Sequence, residues 1–261
     1  MDENNLTEPT ATPTEPKTLP AEAPQMSEIA TIGNVFIEPG NVFDDMRRKP
    51  RFLIAGILVL LFISIFQVAF IEKIGYEKIA RARIESSKRT QDLDTEQKDK
   101  IIQQQASPMI KYITYGATPV VVAIIFLLGG LFYWLGANAM GGSGKFLGGV
   151  SVWVYSSLPP AIVFTLGNLI VLFLKSVDDI DIANSQNGLL KANLGFLIDG
   201  KTMPAIAALL SSFDLFAIWG WTLAAIGLQR VAKISSGAAW AVVLILGVVG
   251  VAAKVIAAMF F

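Results

Sequence analysis

The chain has 261 residues, is 53% hydrophobic and only 16% charged, and carries a formal net charge of zero. A soluble domain of this size carries about 25% charged residues, and a neutral chain has no global basic field to attract nucleic acid. It contains no cysteine and no histidine, which excludes disulfides, thiol nucleophiles, Cys/His zinc sites and histidine acid–base steps.

Residues 1–28 hold Pro9, Pro13, Pro16, Pro20 and Pro24 among Thr, Ala and Glu. Such a stretch buries too little apolar surface to offset its ordering entropy, which predicts a disordered tail. It lacks the apolar core of a signal peptide, so the first span is expected to act as an uncleaved insertion signal. In 29–51, Ile29, Ile32 and Phe36 stand at helical spacing, Pro39-Gly40 interrupts, and Val42, Phe43 and Met46 resume. Arg47, Arg48, Lys49 and Arg51 then crowd the first span. Apolar residues beside a basic cluster predict a segment lying on the membrane surface, with Phe43 and Met46 in lipid. The alternative is a short linker carrying topology charges.

Five apolar runs follow, at about 52–71, 116–140, 148–174, 203–229 and 238–261. Crossing about 30 Å of hydrocarbon takes about 20 helical residues. The runs are continuous rather than alternating, which excludes a β-barrel. The fold class expected is therefore all-α: a polytopic membrane protein whose domain, 52–261, has five transmembrane helices. Between the first two runs, residues 72–111 alternate in charge. Glu77/Arg81 and Glu85/Arg89 are i,i+4 pairs, Asp94 with Gln97 has the form of a capping box, and Pro108 stops the pattern. This predicts a solvated helical hairpin.

"GGSGK" (141–145) lacks the glycine and the Ser/Thr of a phosphate loop and reads as a turn. Pro159 and Pro160 fall in the third run. They cannot donate helical hydrogen bonds, which predicts a helix break that frees the carbonyls of Tyr155 and Ser156. Asp178, Asp179 and Asp181 have no calcium-loop spacing and read as a solvated loop, with 188–198 along the interface. No cofactor or metal site is expected.

Asp214 lies inside the fourth run and Lys254 inside the fifth. Each alone would cost on the order of 2.5–3.5 kcal/mol at depth. Depths of roughly 16 Å and 10 Å below the outer boundary leave a gap of about 6 Å within a lysine's reach, which predicts an intramembrane charge pair between them. The alternative is that Lys254 snorkels alone and Asp214 is protonated or bonds to Ser211, Ser212 or Asn168.

Basic residues distribute ambiguously about the spans. Their density just before span one favours a cytoplasmic N-terminus. "FIEPGNVFDDMRRKPRF", "YSSLPPAI", "FLKSVDDIDIAN" and "SSFDLFAIWGWTLAAIGL", in that order and followed by Lys254, resemble the Yip-domain family (Ypt-interacting proteins), and most of all its bacterial branch. The resemblance covers about 34–261. It implies five spans with a cytoplasmic N-terminal region, here in the inner membrane, and no catalytic residues. The family's eukaryotic association with vesicle traffic and Rab-type GTPases does not transfer to a bacterial cell. The function expected is thus a non-enzymatic integral membrane protein that organises membrane or recruits partners. Its expected partners are the bilayer, proteins at the cytoplasmic N-terminal region and a second copy of the chain, not nucleic acid. The competing reading is a small-solute or ion transporter using Asp214 and the Pro159-Pro160 break, with Asn168 and Gln67 along the path. An intramembrane enzyme is the weakest reading, because no motif joins a nucleophile to a base.

Overall fold

A computed structural model of the chain describes residues 25–185, 188–198, 200 and 202–260. The Pro-rich tail expected at 1–28 falls almost wholly outside the described residues. The described part is helical, with no strand among its residues. Two short helices come first, α1 (Glu28–Asn34) and α2 (Pro39–Arg48). The first span is α3 (Leu53–Ile74), followed by a hairpin of α4 (Tyr76–Ser86) and α5 (Thr95–Gln105). The second and third spans are α6 (Pro108–Ala139) and α7 (Phe146–Leu174). After the short α8 (Ile182–Ser185) come α9 (Pro204–Leu210), α10 (Leu215–Ala232) and α11 (Ser236–Phe260). The helices α3, α6, α7, α10 and α11 are each long and apolar enough to cross a membrane.

The bundle forms around α7, which packs on α3, α6 and α10. Lipid tails are as apolar as leucine, so close packing rather than hydrophobicity must join such helices. The α6–α7 crossing shows how. A Cβ on Gly130 would stand 2.5 Å from the Val150 Cα, and one on Gly149 would run into the Gly130 carbonyl. The two backbones touch because neither position carries a side chain.

Pro159 and Pro160 do not break α7, which continues through them to Leu174. The carbonyl freed at Ser156 instead faces α10, where a Cβ on Gly220 would meet it at 3.5 Å. A close neighbouring backbone, not an unwound segment, accommodates the missing bond. α6 likewise runs through Pro119.

The charged hairpin has its own logic. Gly75, at φ 92°, turns the chain out of α3 in a conformation that favours glycine. Asp94 and Gln97 complete the capping box that starts α5. Arg81 turns to Glu85 at 3.6 Å and to Asp99 at 3.2 Å, so it pairs within α4 and across to α5 rather than back to Glu77. Pro108 opens α6 instead of closing α5; Ser107 caps it. The second span therefore starts eight residues before the apolar run does, and Lys111 in its first turns pairs with Glu72 at 2.7 Å.

The segment 29–51 does not lie on the surface with Phe43 and Met46 in lipid. Val35, Val42, Phe43 and Met46 are all 0% exposed, and α2 packs on α10 and α7. The Thr31 hydroxyl meets the Tyr155 hydroxyl at 3.1 Å, and Tyr155 is about 14 Å along α7 from its start. The α1–α2 unit is thus a wedge driven into one half of the bundle. Its apolar stripe finds protein rather than lipid because Gly227 of α10 leaves room for the Phe43 ring. The fourth apolar run is also not one helix. It is α9, a four-residue interruption, and α10.

Candidate functional site: a polar cleft at the interrupted fourth span

The interruption is written in "SSFD". Ser211 and Ser212 turn their hydroxyls back onto the Ala208 carbonyl, ending α9. Asp214 then caps α10, with Oδ1 accepting from the Phe216 amide at 2.8 Å. A short acid at this position satisfies an otherwise orphaned donor and complements the helix dipole. Asp214 is therefore at an end of the membrane helix, not in its middle. The 18 residues of α10 span about 27 Å, close to the about 30 Å of a hydrocarbon layer, so a helix that crosses it alone needs its whole length and puts Asp214 near one boundary.

The second Asp214 oxygen accepts from Asn193 Nδ2 at 3.2 Å, and the Leu215 amide donates to the Ala192 carbonyl at 3.1 Å. These bonds hold the loop 188–198 over the break. A second anchor comes from α7. Asn168, 0% exposed, accepts from the amides of Leu189 and Leu190 and donates to the Phe164 carbonyl at 2.7 Å. Asn168 and Gln67 have separate tasks. Asn168 pins a loop, and Gln67 donates to the Thr114 carbonyl between α3 and α6.

Lys254 of α11 donates to the Ser211 hydroxyl at 2.9 Å. Among the described residues it forms no ion pair with Asp214. The two share one cleft, but the acid is committed to capping and to Asn193. The expected charge pair is thus replaced by two separate polar contacts at the same level of the bundle.

Around these groups α7, α9, α10, α11 and the loop enclose a cleft of about 1480 Å³. Its outer part, beside α4, is polar, with Lys191 and Lys254. Burial lowers the Lys191 ammonium pKa from its ordinary value, partly opposed by Asp181. Its inner part is aromatic. Phe164 and Phe216 meet edge to face, with centroids 5.2 Å apart, and Trp153 and Tyr133, with centroids 4.8 Å apart, line the wall nearer the far ends of α7 and α6.

At the opposite end of the bundle the basic cluster divides. Arg51 is 7% exposed and approaches Asp45 at 3.7 Å and Glu28 at 3.9 Å. Arg48 approaches Asp45 at 3.8 Å. Arg47 and Lys49 remain exposed. Asp45 also accepts from the Gln25 and Met26 amides, at 2.6 and 3.4 Å. The sequence reading missed Asp45 and Asn193, and named Ser211 only as a partner of Asp214. Asn193 carried a legible signal, Asn-Leu-Gly as a turn; Asp45 carried little, since all its partners but Arg48 lie six to twenty residues away.

The family model described as the Yip1 domain matches residues 33–257. The chain is also 25% identical over 220 residues to "Membrane protein YknW" of Bacillus subtilis (strain 168), covering 84% of this chain and 86% of that protein. No solved structure gives a significant match.

Proposed function

Since the chain belongs to the Yip1 domain family, we propose that it is a non-enzymatic multi-pass protein of the cytoplasmic membrane that recruits protein partners at a cytoplasmic N-terminal region. The observation that carries this reading is the clamp on Gln25 and Met26. Asp45, itself held by Arg51 and Arg48, binds both amides, so Gln25 and Met26 are held on α2, the helix that also carries exposed Arg47. A wedge that only anchored the chain would not need its first residues clamped. The non-enzymatic reading draws support from Asp214, whose two oxygens already serve a helix cap and Asn193.

Transport receives less support. The half of the bundle that holds α2 is filled by Val42, Phe43, Met46, Val152 and Val154, each 0% exposed. A solute would have to displace the whole wedge.

The test is a photo-crosslinking residue placed at Arg47 or Lys49 in cells. Discrete protein adducts, lost on deletion of residues 2–24, are the expected result. Adducts with lipid alone would overturn the recruitment reading.

A further inference from the structure

We propose that the cleft beside Lys254 is a phospholipid-binding site: the phosphodiester sits on the Lys254 ammonium and an acyl chain enters the aromatic interior. This goes beyond partner recruitment and concerns the opposite end of the bundle.

An ammonium has three donors. Among the described residues Lys254 uses one, to the Ser211 hydroxyl, a neutral group. The acid that would neutralise it, Asp214, directs one oxygen at the Phe216 amide and the other at Asn193. Among the described residues no carboxylate contacts this positive charge, which stands on a membrane helix at the wall of a cavity. Such charges face cavities and find anions or water. Ser211 fixes the ammonium and offers its own hydroxyl to the same ligand.

The cavity supplies the rest. At about 1480 Å³ it exceeds the about 300–1,000 Å³ of ordinary small-molecule pockets. Its character changes along its length. The charged end is level with the start of α10, where a membrane's headgroups begin. The interior passes Phe216, Ala217, Phe164 and Trp221 toward Trp153. A soluble anion would leave that interior unfilled, and a fatty hydrocarbon would leave the ammonium unpaired. A phosphate with an attached acyl chain satisfies both. Small residues on the wall, Ala217 and Gly220 of α10 and Ala161 of α7, leave the width a chain requires.

The experiment is native mass spectrometry of the full chain, delipidated in detergent and titrated with a diacyl phosphatidylglycerol, with diacylglycerol and with glycerol phosphate. One phospholipid should bind with preference over both fragments. Lys254→Met should weaken it by about tenfold or more, the loss of one charge-assisted hydrogen bond, and Lys254→Arg should retain it. Ala217→Phe, which fills the interior without touching the charge, should also weaken it. Lys145→Met, an exposed cation at the other end of the bundle, should not. Thermal melting of each variant separates lost binding from lost folding. Equal binding by Lys254→Met and Ala217→Phe, both folded, would overturn the proposal. So would equal affinity for diacylglycerol, which removes the role of the phosphate. Equal affinity for glycerol phosphate would make the site one for a soluble anion and overturn it as well.

Discussion

Asp45 and Arg51 face each other at 3.7 Å across the junction between the wedge and the first span, with side chains 1% and 5% exposed. Two guanidinium nitrogens of Arg51 have no hydrogen-bond partner among the described residues, where its charge is met by the Asp45 and Glu28 carboxylates. Removing one member of a buried pair strands the other, typically at a cost of about 3–5 kcal/mol. Asp45→Ala should therefore lower the melting temperature in detergent sharply. The double change Asp45→Leu/Arg51→Met should recover part of that loss. Melting of the three variants checks both statements.

The wedge sets where a deletion begins to hurt. Described contacts start at the Gln25 amide, and Ser27 caps α1. Deletion of residues 2–24 should leave membrane yield and melting unchanged. Deletion of residues 2–38 removes the clamp, the cap and Val35 together, and should depress both.

The α6–α7 crossing predicts a contrast between two glycines. Gly149→Val places methyl groups against the Gly130 carbonyl and the Trp134 backbone, and should abolish well-behaved material on size-exclusion chromatography. Gly116→Ala, on the same α6 but with nothing within 4 Å of the new Cβ, should express and elute as the parent does.

The contacts of Asp214 and Lys254 define a coupling test. Asp214→Asn keeps an oxygen for the Phe216 amide and should be mild, since Asn caps as well as Asp. Asp214→Leu loses the cap and should cost about 0.5–2 kcal/mol. Lys254→Met and Ser211→Ala should be non-additive in a double-mutant cycle, because each removes the same bond. Strong coupling of Lys254→Met to Asp214→Asn instead would mean that the two charges are in contact.

Orientation is open to a direct labelling test, since the chain has no cysteine of its own. Cysteines at Ser86 and Ser176 should react with an impermeant reagent on intact cells. Cysteines at Ser143 and Ser236, which are exposed at the opposite end of the bundle, should not. The reverse pattern would invert the proposed topology.

The sequence by itself determined the membrane class, the helices that cross and the charged hairpin. These follow from local properties: an apolar run of sufficient length, a capping box, a proline at a helix start. It also carried the interruption at Ser211–Asp214, in short polar residues that cap helices; the surrounding apolar run masked it, because composition averaged over twenty residues hides a four-residue turn. The partners of each charge, by contrast, came only from the tertiary structure. Whether Val42, Phe43 and Met46 face lipid or protein cannot be read from their spacing, since an amphipathic stripe fits either; Gly227 on a helix 180 residues later decides it. The distance between Asp214 and Lys254 likewise depended on where α10 begins and which way α11 leans. Depth along a straight helix placed the two at similar heights, but only the packed loop 188–198 gave Asp214 another partner and left Lys254 to Ser211.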